Sequence, residues 1–180
     1  MDMSFFDVVD EHDNPTGTIA SYDEVHRAGL WHRGVHIIIY TPDKQIVMQK
    51  RSPSLAYHPD EIEISVGGGV NAGERPERAI LREVQEELGL TLDETQLQFL
   101  QKAKVNHTSK KRTSRFFQYS YAICVPKERL RLVINPRETT QAFLISEKEL
   151  RKALRVHRIK NMGRISSLYA YWTFLLDSIS

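Results

Sequence analysis

The stretch from Gly68 to Leu90 constrains this chain more than any other. A glycine-rich turn, Gly67-Gly68-Gly69, is followed by Asn71-Ala72-Gly73 and then by a helical pattern. Pro76 suits the first helical turn, where its missing N–H costs nothing. Gly89 suits the residue just past the helix end, where a left-handed backbone is needed. At about 100° per residue, Ile80, Leu81, Val84 and Leu88 share one apolar arc. Glu83, Glu86 and Glu87 share the arc beside it.

Those three glutamates work against each other. Residues three and four apart are neighbours on a helix, and like charges there cost about 0.2–0.5 kcal/mol per pair. At ~6 Å the repulsion is roughly 0.7 kcal/mol in water and about 3 kcal/mol at an effective dielectric near 20. A hard divalent cation reverses the sign. Mg²⁺ takes oxygen ligands, needs one or two carboxylates and keeps waters for a phosphate substrate. For the glutamates alone, a solvated acidic face is the simpler reading.

The full spacing says more. Gly68, five residues, Glu74, seven residues, then Arg82-Glu83-Val84-Gln85-Glu86-Glu87-Leu88-Gly89-Leu90 fits the Nudix box at every fixed position. The chain resembles the Nudix hydrolase superfamily. The resemblance implies the Nudix fold, an α/β/α sandwich with a central mixed β-sheet, here as a single domain over 1–180. It implies Mg²⁺- or Mn²⁺-dependent cleavage of a diphosphate linkage in a nucleoside diphosphate joined to another group. Glu83 and Glu87 are then the foremost metal ligands and Glu86 the third, with the backbone carbonyl of Gly67 or Gly68 completing the site. Arg82 pairs with Glu74 to orient loop against helix. The general base comes from a box glutamate, Glu83 or Glu86, or from outside the box, where Glu138 precedes the last strand. Gln141 stands where a second acid is common.

Asp10-Glu11, Leu30-Trp31-His32-Arg33 and Gln49-Lys50-Arg51-Ser52 further resemble the isopentenyl diphosphate isomerase-like branch of that superfamily. That branch often has Pro-Gly-x-Trp where this chain has Pro59-Asp60-Glu61-Ile62. The isomerase itself uses a cysteine near the start of the box and a histidine cluster. Here Val66-Gly67-Gly68-Gly69 fills that region, and the only cysteine is Cys124. His26 and His32 are read as structural. Isomerisation and a non-catalytic nucleotide-binding module remain the rival functions. An RNA-cap or dinucleotide substrate is a third reading, and it would make the basic loop His107–Arg115 important.

Around the box the chain reads as alternating elements. Strands are expected at 5–10, 18–20, 35–40, 45–49, 60–65, 97–105, 116–125 and 139–145, with Pro42-Asp43-Lys44 turning a hairpin. Ser21-Tyr22-Asp23-Glu24 and Ser146-Glu147-Lys148-Glu149 are capping boxes that open short helices. One helical turn is expected near Pro126–Leu130. A last helix is expected over 165–179, with Leu168, Trp172 and Leu175 on one face and Trp172 and Tyr169 in the core. Lys110, Lys111 and Arg112 form the tip of the basic loop. A solvated hairpin tip is the simpler reading of that loop; the functional reading assigns them, with Arg51, to binding an anionic substrate.

Composition bounds the partners. The 180 residues carry a net charge of +2, too small to imply nucleic acid or a membrane surface. No internal disulfide is possible with a single cysteine, which fits a reducing compartment. Neither a cationic, apolar leader nor an apolar run long enough to span a bilayer is visible. The expectation is a cytoplasmic protein with a small phosphorylated partner, no membrane and no nucleic acid, and a homodimer left open.

Overall fold

The computed structural model describes residues 4–55, 58–108, 113–165 and 169–179. The Lys110, Lys111 and Arg112 tip and Leu168 lie outside those residues. The elements are β1 (Phe5–Val9), β2 (Pro15–Ser21), α1 (Tyr22–Ala28), β3 (Trp31–Tyr40), β4 (Gln45–Arg51), β5 (Ile62–Ile64) and β6 (Val66–Gly69). They continue with α2 (Pro76–Leu88), β7 (Gln98–Thr108), β8 (Thr113–Cys124), β9 (Thr139–Ser146), α3 (Glu147–Arg155), β10 (Arg158–Ile159), β11 (Gly163–Arg164) and α4 (Tyr169–Asp177). Short 3₁₀ turns occupy Glu94–Gln96 and Lys127–Arg129.

Among the described residues, β1 to β9 join one mixed sheet. β3 is its spine. It pairs antiparallel with β6, from Gly34↔Gly69 to Ile37↔Val66, and parallel with β8, from Trp31↔Arg115 to Tyr40↔Cys124. The long parallel ladder explains why β3 starts at Trp31 rather than at Val35: each added residue gains a partner on β8. The turn at Pro42–Lys44 does join β3 to β4, but the two strands pair only at Tyr40↔Ile46. Beyond that point β4 leaves β3 to pair with β5 and β9.

Both faces of the sheet are covered, which is why β3 reads as a continuous apolar run rather than an alternating one. Val35, Ile37 and Ile39 face α2, packing with Val66, Ile80, Val84, Leu88, Tyr121 and Ile123. Ile38 faces the other way, with Ile46, Met48, Ile62, Leu150, Leu154, Trp172 and Leu175 under α3 and α4. The result is the expected α/β/α sandwich. A smaller cluster of Phe6, Val8, Ala20 and Val25 seats α1.

The helix ends follow local chemistry. Ser21 and Ser146 both form complete capping boxes, with Glu24 and Glu149. Pro76 stands at the start of α2, and Gly89 ends it at φ 67°, its N–H bonded to the Gln85 carbonyl. Leu81 departs from the expected apolar arc. It lines a shallow cavity with Arg78, Leu92 and Glu94, and Ala79 takes its place in the core. The C-terminal region also differs from expectation. β10 and β11 form a small hairpin before α4, and Ile165 bridges to Ile62. Trp172 is 2% exposed, a core residue as expected. No helix among the described residues is long and apolar enough to cross a membrane.

Candidate metal and phosphate site

Two parts of the chain bring carboxylates to one place. α2 supplies Glu83 and Glu87, and the segment leading into β9 supplies Glu138. One carboxylate oxygen from each lies within 4.8 Å of the others. Backbone hydrogen bonds fix this convergence. Asn135 N–H donates to the Glu87 carbonyl at 3.1 Å and Val133 N–H to the Leu88 carbonyl at 2.8 Å. The segment from Val133 is thus stitched to the C-terminal end of α2. Asn135 Nδ2 then donates to Glu138 Oε1 at 3.0 Å, and Ser52 N–H donates to the Glu138 carbonyl at 2.7 Å.

Gly68 leaves the room that Glu83 occupies. A Cβ built there would lie 2.2 Å from Glu83 Cδ. Its neighbours make similar close approaches on the opposite face of the sheet, where Gly67 meets His36 and Gly69 meets Phe6. The glycine run is therefore required by close packing rather than by backbone twist.

Arg82 is the organising cation. It grips Glu74 with two parallel bonds, Nε to Oε1 and Nη2 to Oε2, each 3.0 Å. Nη1 donates to Glu83 Oε1 at 2.9 Å and to Glu86 Oε2 at 3.1 Å, and Nη2 also reaches the Gly69 carbonyl at 3.0 Å. Loop, strand and helix are held by one planar fork, a geometry an ammonium cannot reproduce. The pairing of Arg82 with Glu74 implied by the family resemblance is present.

The charges in the site are poorly compensated. Glu87 is 5% exposed and has no ion pair among the described residues. Burial pushes its carboxyl well above the usual range; Glu63, Glu83 and Glu138 push the same way, and a hydrogen bond from Gln49 opposes them. Burial raises Glu83 to about 7 even though Arg82 pulls it down, and Glu86 and Glu138 add to the rise. Two carboxylates ~4.8 Å apart repel by about 3 kcal/mol at an effective dielectric near 20. The donor set, three carboxylates with one arginine already committed, suits a hard cation that prefers oxygen.

Other expected site residues lie elsewhere. Glu86 is outside the trio, half-exposed and turned to Arg82. Arg51 donates to Glu63 Oε1 at 2.7 Å, so its charge is shared with a carboxylate beside the trio. Gln141 is exposed on β9. Cys124 is exposed at the end of β8.

Three residues of this neighbourhood were given no site role in the sequence reading: Glu63, Gln49 and Thr139. Gln49 Nε2 donates to Glu87 Oε2 at 2.5 Å and to Glu63 Oε1 at 3.1 Å. Glu63 did leave a signal. In Ile62-Glu63-Ile64 the alternation sends the glutamate to the face opposite Ile62, which is the α2 face.

Known proteins resemble this chain in sequence and fold. Residues 30–164 match the family model described as NUDIX domain. The chain is 36% identical over 89 residues to a protein of Deinococcus radiodurans named Nudix hydrolase, covering 48% of this chain and 50% of that protein. It is 37% identical over 84 residues to a prenyl-diphosphate phosphatase of Methanosarcina mazei, covering 47% and 48%. The aligned part spans about half the length of such relatives. A crystal structure of a Deinococcus radiodurans protein superposes with a TM-score of 0.67 at 23% identity, covering 93% of this chain and 96% of that one. That likeness shows the fold.

Proposed function

Because this chain belongs to the NUDIX domain family, we propose that it hydrolyses a diphosphate linkage in a small phosphorylated substrate, with a divalent cation, Mg²⁺ or Mn²⁺, held by Glu83, Glu87 and Glu138. The observation that carries the reading is the convergence of those three carboxylates from two remote parts of the chain. Such a cation, when bound, neutralises the substrate's charge, polarises a phosphoryl oxygen and acidifies water.

The chain's own residues do the rest. Arg82 holds Glu83 through its Oε1. Gly68 keeps a side chain out of Glu83's place. Glu138 is assigned as the base that takes a proton from the attacking water. Oxygen then bonds to phosphorus, the bridging P–O bond breaks, and the leaving phosphate or phosphate ester departs with the electron pair. Glu138 is favoured over Glu86 because Glu86 lies outside the trio and is occupied by Arg82.

The substrate assigned is a nucleoside diphosphate linked to another group. A prenyl diphosphate is the second reading, supported by the Methanosarcina mazei relative and by the isomerase-like pattern at Leu30–Arg33 and Gln49–Ser52. Double-bond isomerisation is less well supported, since Val66–Gly69 offers no thiol or imidazole. The test is phosphate release from a panel of nucleoside and prenyl diphosphates with and without Mg²⁺ or Mn²⁺. Cation-dependent release from at least one diphosphate is expected. Rearranged isopentenyl diphosphate, or ligand binding with no turnover across the panel, would overturn the hydrolase reading.

A further inference from the structure

Glu87 is the most buried member of the trio, and its side-chain partner is a neutral amide. Gln49 projects from β4 and is 1% exposed. Its Nε2 reaches Glu87 Oε2 at 2.5 Å and Glu63 Oε1 at 3.1 Å. On the other side of the amide, Thr139 Oγ1 donates to Gln49 Oε1. Thr139 is fully buried.

Chemistry decides which way this amide faces. An ionised carboxylate offers only acceptors, so with Glu87 and Glu63 ionised, as cation binding requires, the half of Gln49 that meets them is its NH₂. The amide oxygen then points to Thr139 and needs a donor, which the hydroxyl supplies. A reversed amide would set its oxygen against two carboxylates and leave buried acceptors unsatisfied. Backbone register serves the same contact. β4 and β9 pair regularly from Gln45↔Ser146 to Lys50↔Gln141, then shift so that Arg51 faces Thr139. An unbroken ladder would set Thr140 opposite Arg51. The shift puts Thr139 there, buried beside Gln49, and leaves Thr140 exposed. Register shifts of this kind re-aim side chains next to sites.

We propose that Gln49 and Thr139 are positioning residues for Glu87. The hydroxyl fixes the amide, and the amide pins one carboxylate oxygen so that the other is presented to Glu83 and Glu138. This rests on the reading of the trio as a cation site. Groups that orient metal ligands from behind typically change affinity by about 10–100-fold when removed.

The test is Mn²⁺ titration of the full chain by calorimetry, without substrate, alongside thermal unfolding of the metal-free protein. Thr139→Val keeps the shape and removes the hydroxyl, and Thr139→Ser keeps the hydroxyl. Thr139→Val and Gln49→Met are expected to weaken Mn²⁺ binding about tenfold or more, while Thr139→Ser binds like the parent. Should Gln49→Met fail to fold, the two Thr139 variants carry the comparison alone. A Thr139→Val protein that binds as the parent does, or a Thr139→Ser protein as weak as Thr139→Val, overturns the proposal. Glu87→Gln, titrated in parallel, separates the two levels. If it loses Mn²⁺ while Thr139→Val does not, only the positioning role falls. If the parent binds no Mn²⁺, or Glu87→Gln binds undiminished, the cation site itself falls and takes the positioning role with it.

Discussion

Glu83 sits in the space that a side chain on Gly68 would need: a Cβ there would lie 2.2 Å from Glu83 Cδ and 2.3 Å from its Oε1. The two residues are 15 apart in the chain (83 − 68), yet one is defined by the absence of the other's side chain. The atoms that would clash belong to the far end of a flexible glutamate, so the backbone need not move.

Gly68→Ala should therefore leave the fold standing and move the site. Its unfolding temperature is expected within a few degrees of the parent, since a change of ~1 kcal/mol shifts Tm by only about 2–4 °C in a chain of this size. Mn²⁺ affinity and turnover should fall by about tenfold or more, because Glu83 is displaced. Calorimetric titration and a melt of the same sample check both halves. Unchanged affinity would mean Glu83 is not a ligand.

Glu87→Gln separates charge from shape. Glu87 is buried among Glu63, Glu83 and Glu138 and pays for its charge there. The isosteric amide should abolish turnover while the metal-free protein becomes more stable by about 1 kcal/mol. The variant should also gain no unfolding temperature from added Mn²⁺. Retained activity at saturating Mg²⁺ removes Glu87 from the site.

The pH dependence follows from the raised carboxyls. A free glutamate titrates near 4.3, while folding lifts Glu83 to about 7 and Glu87 also upward. Between those values the folded chain holds more protons than the unfolded one. These groups therefore make the metal-free protein lose stability as pH rises from about 4.5 through 7. Cation binding needs the ionised carboxylates, so it should release protons at pH 6–7 and stabilise the fold more as pH rises. Titration of Mn²⁺ in two buffers of different ionisation enthalpy measures the release. Identical heats in both buffers would contradict the raised carboxyls.

Arg82→Lys tests the fork. A lysine can hold one carboxylate but cannot span Glu74, Glu83 and the Gly69 carbonyl together. The variant should lose about 2 kcal/mol of stability and most of its turnover. Denaturant unfolding reads the first and phosphate release the second. If only turnover falls, Arg82 acts on substrate rather than on the loop.

Legibility in the sequence tracked distance along the chain. Both capping boxes and the Pro76 start and Gly89 end of α2 were readable, because each is made by residues within a few turns of one another, whereas the Arg82–Glu74 pair was implied only by the family resemblance. Glu138 was named only through family resemblance. Composition and periodicity offer no reason for a loop glutamate to approach α2, since the hydrogen bonds of Asn135 and Val133 that bring it there join segments almost 50 residues apart along the chain (135 − 87 = 48). Glu86 was equivalent to Glu87 by spacing, but the fold turned it to solvent and to Arg82.

What the sequence alone determined is the turn, the helix and the crowding of acids on one side of it, because backbone sterics, capping and helical periodicity act locally. Only the tertiary structure decided which acids converge. β4, β5 and the segment before β9 meet α2 across a sheet whose long-range pairings place Glu63, Gln49, Glu138 and Thr139 around Glu87. Burial then gives those carboxylates their altered proton affinity, and a property that depends on exclusion of water exists only once the chain has closed around them.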